Sequence, residues 1–254
     1  MLDKRVNKKY KERIVEIAKE IYKQKVIEAK HNNKDFKEYP HLFLLGAVMD
    51  SQILADKAWK IPYKIAEELG GKDFPLFCSK DLNWYINIFK SKKLHRFNVE
   101  MSKAFYLAIE KIKNDYNGNA ANIWNDNPSM AELILRLLEF RKIGIKIATM
   151  VANILSRECN VKLQDTCILD ISPDVHVKRA MYRLGLLPTI KNVNIKNIEQ
   201  YVVICAAKSI YPEFPGVLDP VFWEIGYNKT CTNDGCNSSE NKKCPFADFC
   251  IKQM

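Results

Sequence analysis

Apolar residues recur at helical spacing through most of this chain, and this periodicity is the feature that most limits the folds open to it. The pattern is clearest on either side of residue 140, where one apolar helical face stops at a polar interruption and then resumes. The face before the interruption contains Leu133, Ile134, Leu137 and Leu138, and the face after it contains Ile147, Ala148, Val151, Ile154 and Leu155. Because strand-like alternation is weak and only 9 of the 254 residues are glycine, the sequence predicts an all-α protein.

The polar interruption predicts a tight hairpin with a lysine at the start of its second helix. Asn127 and Pro128 are suited to begin the first helix, as its cap and its first residue. Residues 141–144 form the hairpin, and a hairpin of this kind exposes backbone N–H groups where phosphate binds; Gly144 would let a phosphate come close. The less apolar side of the second helix contains Lys146, Thr149, Asn153 and Arg157. An ordinary helical hairpin with one exposed lysine is the alternative.

A further helix start lies at Asp174, directly after Pro173. Its expected buried side comprises Val177, Ala180, Met181 and Leu184. An aspartate at this position is suited to the plain structural role of an N-cap. A carboxylate and a lysine amine that meet in a cleft can also carry out covalent chemistry on a sugar carbon, so Asp174 and Lys146 form a candidate catalytic pair.

The chain is basic and has no long apolar run. Its formal net charge is +10 and its isoelectric point is about 9.1, which favours a polyanionic partner, nucleic acid first. A lysine-rich protein without such a partner fits the charge equally well. There is no apolar stretch of roughly eighteen residues that would predict a transmembrane helix, and the charged N-terminal stretch lacks a signal-peptide core. We therefore expect a cytoplasmic protein.

Four of the eight cysteines lie close together near the C-terminus, with the spacing C-x4-C-x7-C-x5-C. They are Cys231, Cys236, Cys244 and Cys250. In a reducing compartment such a group can form a tetrahedral metal site or hold an iron–sulfur cluster, with zinc or unligated thiols as the alternatives. The remaining cysteines lack ligand spacing, and Cys205, which lies in an apolar run, is expected to be buried.

These motifs together resemble the helix-hairpin-helix DNA glycosylase superfamily, and within it the endonuclease III branch. The family's hairpin reads roughly Leu-Pro-Gly-Val-Gly-x-Lys-Thr-Ala, and residues 140–148 read Phe-Arg-Lys-Ile-Gly-Ile-Lys-Ile-Ala. Asp174 opens an Asp-x-His-Val-x-Arg segment, and the resemblance runs from about Pro40 to the C-terminus. The chain differs from the family at Arg141 and Lys142, which replace proline and glycine. A segment at Glu158–Leu169 resembles an insertion between Lys146 and Asp174.

The resemblance implies a base-excision repair enzyme that flips a damaged base and cleaves its N-glycosidic bond. Lys146 would attack C1′ and form a Schiff base that permits strand cleavage by β-elimination, the abasic-site (AP) lyase reaction. Asp174 would stabilise the positive charge that develops on the sugar and help to deprotonate the amine. Two alternatives remain open: a monofunctional mismatch or alkylated-base glycosylase in which Lys146 does not attack, and a non-catalytic helix-hairpin-helix DNA-binding protein.

The resemblance also implies the domain organisation and the cofactor. Two helical domains would have a DNA-binding cleft between them. Residues 40–165 would form a six-helix domain that contains the hairpin, and residues 1–39 together with 166–254 would form an iron–sulfur domain. Its 4Fe–4S cluster would be held by Cys231, Cys236, Cys244 and Cys250, and it would be structural.

The implied partner is double-stranded DNA that contains a damaged base or an abasic site, bound by a monomeric, nucleoid-associated protein. Gln52, in the sequence Asp-Ser-Gln at 50–52, would enter the gap left by the extruded base; an exposed amide at a helix junction is the alternative. Lys242 and Lys243, between the cluster ligands, would reach phosphate. The remaining expected DNA contacts are Lys142, Ile143, Gly144 and His176.

Overall fold

The computed structural model describes residues 5–29, 34–165, 169–187, 199–232, 235–237 and 243–251. Within these ranges the regular structure is helical, apart from one isolated antiparallel bridge between Cys231 and Cys236. The prediction of an all-α protein is therefore confirmed for the described residues. None of the described helices is both long and apolar enough to cross a membrane. Backbone contacts divide the chain into two units, a terminal unit (Met1–Ala29 and Asp165–Met254) and a central unit (Lys30–Gln164).

The central unit is organised around one helix that is apolar on all its sides. In chain order its helices are α2 Lys34–Glu38, α3 Pro40–Met49, α4 Ala55–Ala58, α5 Ile61–Leu69, α6 Phe74–Cys78, α7 Leu82–Ser91, α8 Asn98–Asp115, a short 3-10 helix at Ala120–Ile123, α9 Met130–Leu138 and α10 Ile145–Arg157. Helix α3 is buried along almost its whole length and contacts α5, α8 and α10. A helix without a polar face is stable only when it is enclosed in this way, so α3 forms the core of the unit.

The first helix of the hairpin starts two residues later than the sequence pattern predicts. Its cap is Ser129 rather than Asn127: the Ser129 hydroxyl accepts the Glu132 N–H at 3.2 Å, and the Ser129 N–H donates to Glu132 Oε2 at 2.8 Å. This reciprocal pair satisfies two backbone donors at once, which a single Asn cap does not. Within the segment interpreted as an insertion, the Gln164 N–H donates to the Pro128 carbonyl at 3.2 Å, next to this helix start.

The terminal unit joins the N-terminal helix to the C-terminal part of the chain. Its helices are α1 Lys8–Ala29, α11 Val175–Arg183, α12 Gln200–Ile210, a 3-10 helix at Pro215–Leu218 and α13 Asp219–Tyr227. Helix α11 packs along α13, and α1 packs on α13 and on the 3-10 helix. The backbones of α11 and α13 approach closely at Gly226, where an added Cβ would lie 2.7 Å from His176 Cβ. Their shared core includes Val177, Met181, Phe222 and Phe246.

Candidate active site and metal centre

The hairpin between α9 and α10 is a tight turn with one residue in the left-handed conformation. The Phe140 and Ile143 N–H groups donate to the carbonyls of Leu137 and Phe140 at 3.1 and 3.0 Å. Lys142 has φ of 77°, in the left-handed region that favours glycine. Its ammonium lies 2.5 Å from Glu100 Oε1 on α8, and this pair lowers the pKa of Glu100.

The hairpin opens onto an uncapped helix start. Gly144 is the N-cap of α10, and among the described residues no side chain caps the helix and no heavy atom lies within 4 Å of a Cβ added at Gly144. The first-turn N–H groups of such a helix are suited to bind an anion. The Ile143 side chain is buried, so only its backbone is available to a partner there.

Lys146 lies in the first turn of α10 and pairs with a buried carboxylate. Its Nζ donates to Asp50 Oδ2 at 3.1 Å. Asp50 is the residue directly after α3, and its side chain is 6% exposed, against 23% for Lys146. The sequence pattern does not assign Asp50 a role. The signal available was an acidic residue at the end of a wholly apolar helix, where a carboxylate needs a partner.

The loop at 50–52 brings Asp50 and Gln52 onto one short turn. The Asp50 N–H donates to the Ala47 carbonyl at 3.1 Å and the Ser51 N–H to the Met49 carbonyl at 2.8 Å. Gln52 follows with a left-handed φ of 57° and an exposed side chain. The structure thus places the Gln52 loop and Lys146 together, with Asp50 as the link between them.

A buried histidine lies beside this loop. His95 is 2% exposed, and its Nδ1 accepts the Phe97 N–H at 3.1 Å, so the proton of the neutral ring is on Nε2. Burial lowers the pKa of His95, and the backbone of Ser51 and Met49 opposes this shift. Nε2 is buried, and no group of the described residues meets hydrogen-bond geometry with it. A neutral, tightly enclosed ring therefore packs next to the turn that presents Asp50.

Asp174 is the N-cap of α11. Its Oδ1 accepts the His176 N–H at 2.8 Å, and its own N–H donates to the Ser172 carbonyl at 2.7 Å. The preceding loop is held by Asp219, at the start of α13, whose Oδ1 accepts the Ser172 N–H at 2.7 Å in the core. Asp219 is a second residue that the sequence pattern does not assign. Asp174 belongs to the terminal unit and Lys146 to the central unit.

His176 belongs to an aromatic group at the start of α11. Its ring meets the ring of Tyr227 edge-on at 5.8 Å, and Tyr227 stacks on Trp223 at 4.4 Å. Arg179 Nη1 lies 3.5 Å from His176 Nδ1 and also 3.5 Å from the Cys231 carbonyl. His176 is therefore partly enclosed by α13, and Arg179 connects the start of α11 with the cysteine segment.

The four C-terminal cysteines line one small cavity. It is formed by Cys231, Cys236, Cys244 and Cys250 together with Arg183, Phe246 and neighbouring apolar side chains. Burial raises the pKa of Cys231 to about 11, Arg183 opposes this shift, and Cys250 and Cys244 add to it. No three His, Cys, Asp or Glu side chains of the described ranges already stand at metal-ligating positions. Four cysteines that line one cavity nevertheless provide the donor chemistry that a four-thiolate site needs.

The remaining expectations have different outcomes. Lys243 is exposed, whereas Lys242 lies outside the described residues.

Cys205 was expected to be buried, and this is wrong: it is exposed, because α12 turns Val203, Ala207 and Ile210 toward the core and Cys205 away from it. Cys159 is buried, which raises its pKa to about 12.

Comparison with known proteins adds no assignment. No protein-family model matches the chain, and neither a curated protein nor a solved structure gave a significant match. The function is therefore argued from the residues and their geometry.

Proposed function

We propose that this protein is a DNA glycosylase with AP lyase activity, acting on double-stranded DNA that contains a damaged base or an abasic site. The observation that carries the proposal is Lys146, an amine held in the first turn of α10 directly behind a tight, uncapped hairpin. This arrangement places a potential nucleophile next to a surface that suits a phosphate.

DNA would bind through its backbone at the hairpin. The N–H groups at Gly144 and the start of α10 would donate hydrogen bonds to a phosphate, and Lys142, which pairs with Glu100, would add positive charge beside them. The net charge of +10 supports such a partner, since phosphate contacts supply most of the affinity of proteins for DNA. Gln52, exposed and in a left-handed turn, would fill the space left by the extruded base.

The chemistry would divide between an amine and a carboxylate. The neutral amine of Lys146 would attack C1′ of the sugar as the base leaves, and the resulting Schiff base would allow β-elimination of the 3′ phosphate. Asp174 would stabilise the positive charge that develops on the sugar. The hydrogen bond from the His176 N–H to Asp174 Oδ1 would keep the carboxylate at the start of α11.

The cysteine cavity would hold a 4Fe–4S cluster on Cys231, Cys236, Cys244 and Cys250. This group would be structural: it would fix the C-terminal segment against α11 and α13, and it would not take part in the sugar chemistry. Lys243, exposed beside Cys244, would be available to phosphate from this segment.

Borohydride trapping tests the proposal. Added during turnover on abasic and single-lesion duplexes, it should link wild-type protein covalently to DNA, and Lys146→Gln should bind DNA without forming the adduct or nicking the strand. The ion pair of Lys146 with Asp50 favours a second candidate, a monofunctional glycosylase in which the lysine does not attack. Base excision without any trapped adduct would establish that second candidate instead.

A further inference from the structure

Asp50 and Lys146 form an ion pair that is largely withdrawn from solvent. The ammonium donates to Asp50 Oδ2 at 3.1 Å, and the side chains are 6% and 23% exposed. A pair in such surroundings interacts more strongly than a surface pair, because solvent screens it less. It joins the C-terminal end of α3 to the first turn of α10, across 96 residues of sequence.

This pair opposes the chemistry that the lysine is proposed to perform. A lysine attacks carbon only as the neutral amine, because the ammonium nitrogen has no lone pair to share. A carboxylate in contact with the ammonium stabilises the charged form. In the conformation described, Lys146 is therefore well positioned but chemically unreactive.

The restraining carboxylate lies on the same turn as the residue expected to enter DNA. Asp50 and Gln52 are separated by Ser51 alone, and Gln52 is in the left-handed region with φ of 57°. Asp50 follows the buried helix α3 and lies beside the enclosed His95 ring, whereas Gln52 is exposed. The Gln52 end of the turn is therefore the less constrained one. Because the turn has only three residues, a movement of Gln52 into a duplex would also move Asp50.

We propose that Asp50 is a positioning residue that holds Lys146 as an unreactive ammonium in the free protein, and that insertion of Gln52 into DNA separates the pair and frees the amine. This inference rests on the proposed function. It links base extrusion to nucleophile activation through one short turn. Such a restraint would also keep the amine from reacting with aldehydes that are not part of a DNA site.

The activated step balances as follows. Once the pair is separated, a larger fraction of Lys146 has lost one proton to water and is present as the neutral amine. The nitrogen lone pair then forms a bond to the C1′ aldehyde carbon of an abasic sugar, and the carbonyl π electrons become an alkoxide that takes up a proton. The nitrogen loses one proton, the hydroxyl group takes up a second proton and leaves as water, and the C=N bond of the Schiff base forms with no oxidant or reductant required.

Reductive alkylation of the free protein tests the restraint without DNA. Wild type, Asp50→Asn and Asp50→Glu are treated with propanal and cyanoborohydride at pH 7, and the labelling rate of Lys146 is measured by peptide mass spectrometry against Lys208 as an internal reference. Asp50→Asn should raise the Lys146 rate about tenfold, equivalent to ~1.4 kcal/mol of lost stabilisation of the ammonium. Asp50→Glu, which keeps the carboxylate, should stay near the wild-type rate. An unchanged or lower rate in Asp50→Asn overturns the inference.

Two additional variants make the comparison specific. Glu100→Gln removes the exposed carboxylate that pairs with Lys142 on the same hairpin, and it should leave the Lys146 rate unchanged. A rise in Lys146 labelling in Glu100→Gln would show a general loosening of the hairpin and would count against Asp50. Asp50→Ser provides the same comparison if the Asn variant does not fold.

Trapping on DNA tests the link to Gln52. Wild type should form its borohydride adduct faster on an abasic duplex than on an abasic single strand. Asp50→Asn should raise the single-strand rate and so lower the ratio of the duplex rate to the single-strand rate. Equal ratios in the two proteins would show that the turn does not couple the events, although the lyase function would stand. If no protein forms an adduct on any DNA, the proposed function fails, and the propanal labelling still decides whether Asp50 restrains Lys146.

Discussion

Asp219 accepts the Ser172 N–H at 2.7 Å, and this buried hydrogen bond ties the loop that presents Asp174 to the first turn of α13. Helix α13 leads to Cys231, whose N–H donates to the Ile225 carbonyl at 2.8 Å. The Asp174 loop and the cysteine segment therefore share one support within the terminal unit. A metal that orders the cysteines would stabilise the same helix that holds the Asp174 loop.

Asp219→Ala should destabilise the protein more than a surface change does. Removing the carboxylate leaves the buried Ser172 N–H without its acceptor, which costs about 1–3 kcal/mol. Urea unfolding measures the loss, with Asp248→Ala, at an exposed position, as the control that should change the free energy of unfolding by less than about 0.5 kcal/mol. Equal stability of Asp219→Ala and wild type would mean that water replaces the acceptor without cost.

Asp174→Asn distinguishes the helix-capping role of Asp174 from its proposed catalytic role. Asparagine caps a helix about as well as aspartate, so the free energy of unfolding should stay within about 0.5 kcal/mol of wild type, while Asp174→Ala should lose about 1 kcal/mol. If the carboxylate stabilises the developing sugar cation, base excision should collapse in Asp174→Asn although the fold and DNA binding persist. Full base excision by the Asn variant would show that Asp174 acts only as a helix cap.

The sequence predicts the helices well because their apolar spacing is local information. Of the predicted face of α10, Ile147, Ala148, Val151 and Leu155 are buried and Ile154 is half-buried. The polar residues Thr149, Asn153 and Arg157, expected on the less apolar side, are buried as well, since packing surrounds this helix on more than one side. Periodicity identifies the most apolar face of a helix but does not show how many neighbours the fold places around it.

The site residues divide in the same way. Asp174 at a helix start and the four cysteines in one segment are visible in the sequence because each feature is local. Asp50 and Asp219 are not, since their partners, Lys146 and Ser172, lie 96 and 47 residues away. Long-range pairs of this kind depend on tertiary packing, and no spacing rule within one helix or loop reveals them.

The buried histidine His41 should make the protein sensitive to acid. Burial lowers the pKa of His41 from 6.5 to about 4, partly offset by its hydrogen bond with the Lys72 carbonyl at 2.8 Å. A lowered folded-state pKa gives stability that is present above pH 6.5 and is lost as the pH falls toward 4, by about 3 kcal/mol in total. His41→Gln, which can still donate to the carbonyl, should lose less stability than wild type between pH 7 and pH 4.5 in urea unfolding. Parallel losses in both proteins would contradict this assignment.

Iron analysis tests the cysteine cavity. Protein purified without oxidants should be yellow-brown and contain about four irons per chain, the content of a cluster held by four thiolates. Cys244→Ser should lower the iron content and the stability, whereas Cys78→Ser, outside the cavity, should leave the iron content unchanged. Colourless protein with one zinc per chain would replace the cluster with a tetrahedral zinc site.

Gly144→Ala should weaken DNA binding while preserving the fold. Alanine can adopt the Gly144 backbone conformation, with φ of −105°, and no heavy atom in the described part of the chain lies within 4 Å of an added Cβ. The free energy of unfolding should therefore change by less than about 1 kcal/mol. The new methyl group would stand where a phosphate must approach the α10 start, and the Kd for an abasic duplex should rise about tenfold, equivalent to ~1.4 kcal/mol. Gly226→Ala is the matched contrast: its Cβ would lie 2.7 Å from His176 Cβ, so it should lose about 1–3 kcal/mol of stability. Fluorescence anisotropy and urea unfolding measure the two quantities, and wild-type affinity in Gly144→Ala would show that phosphate does not bind at this hairpin.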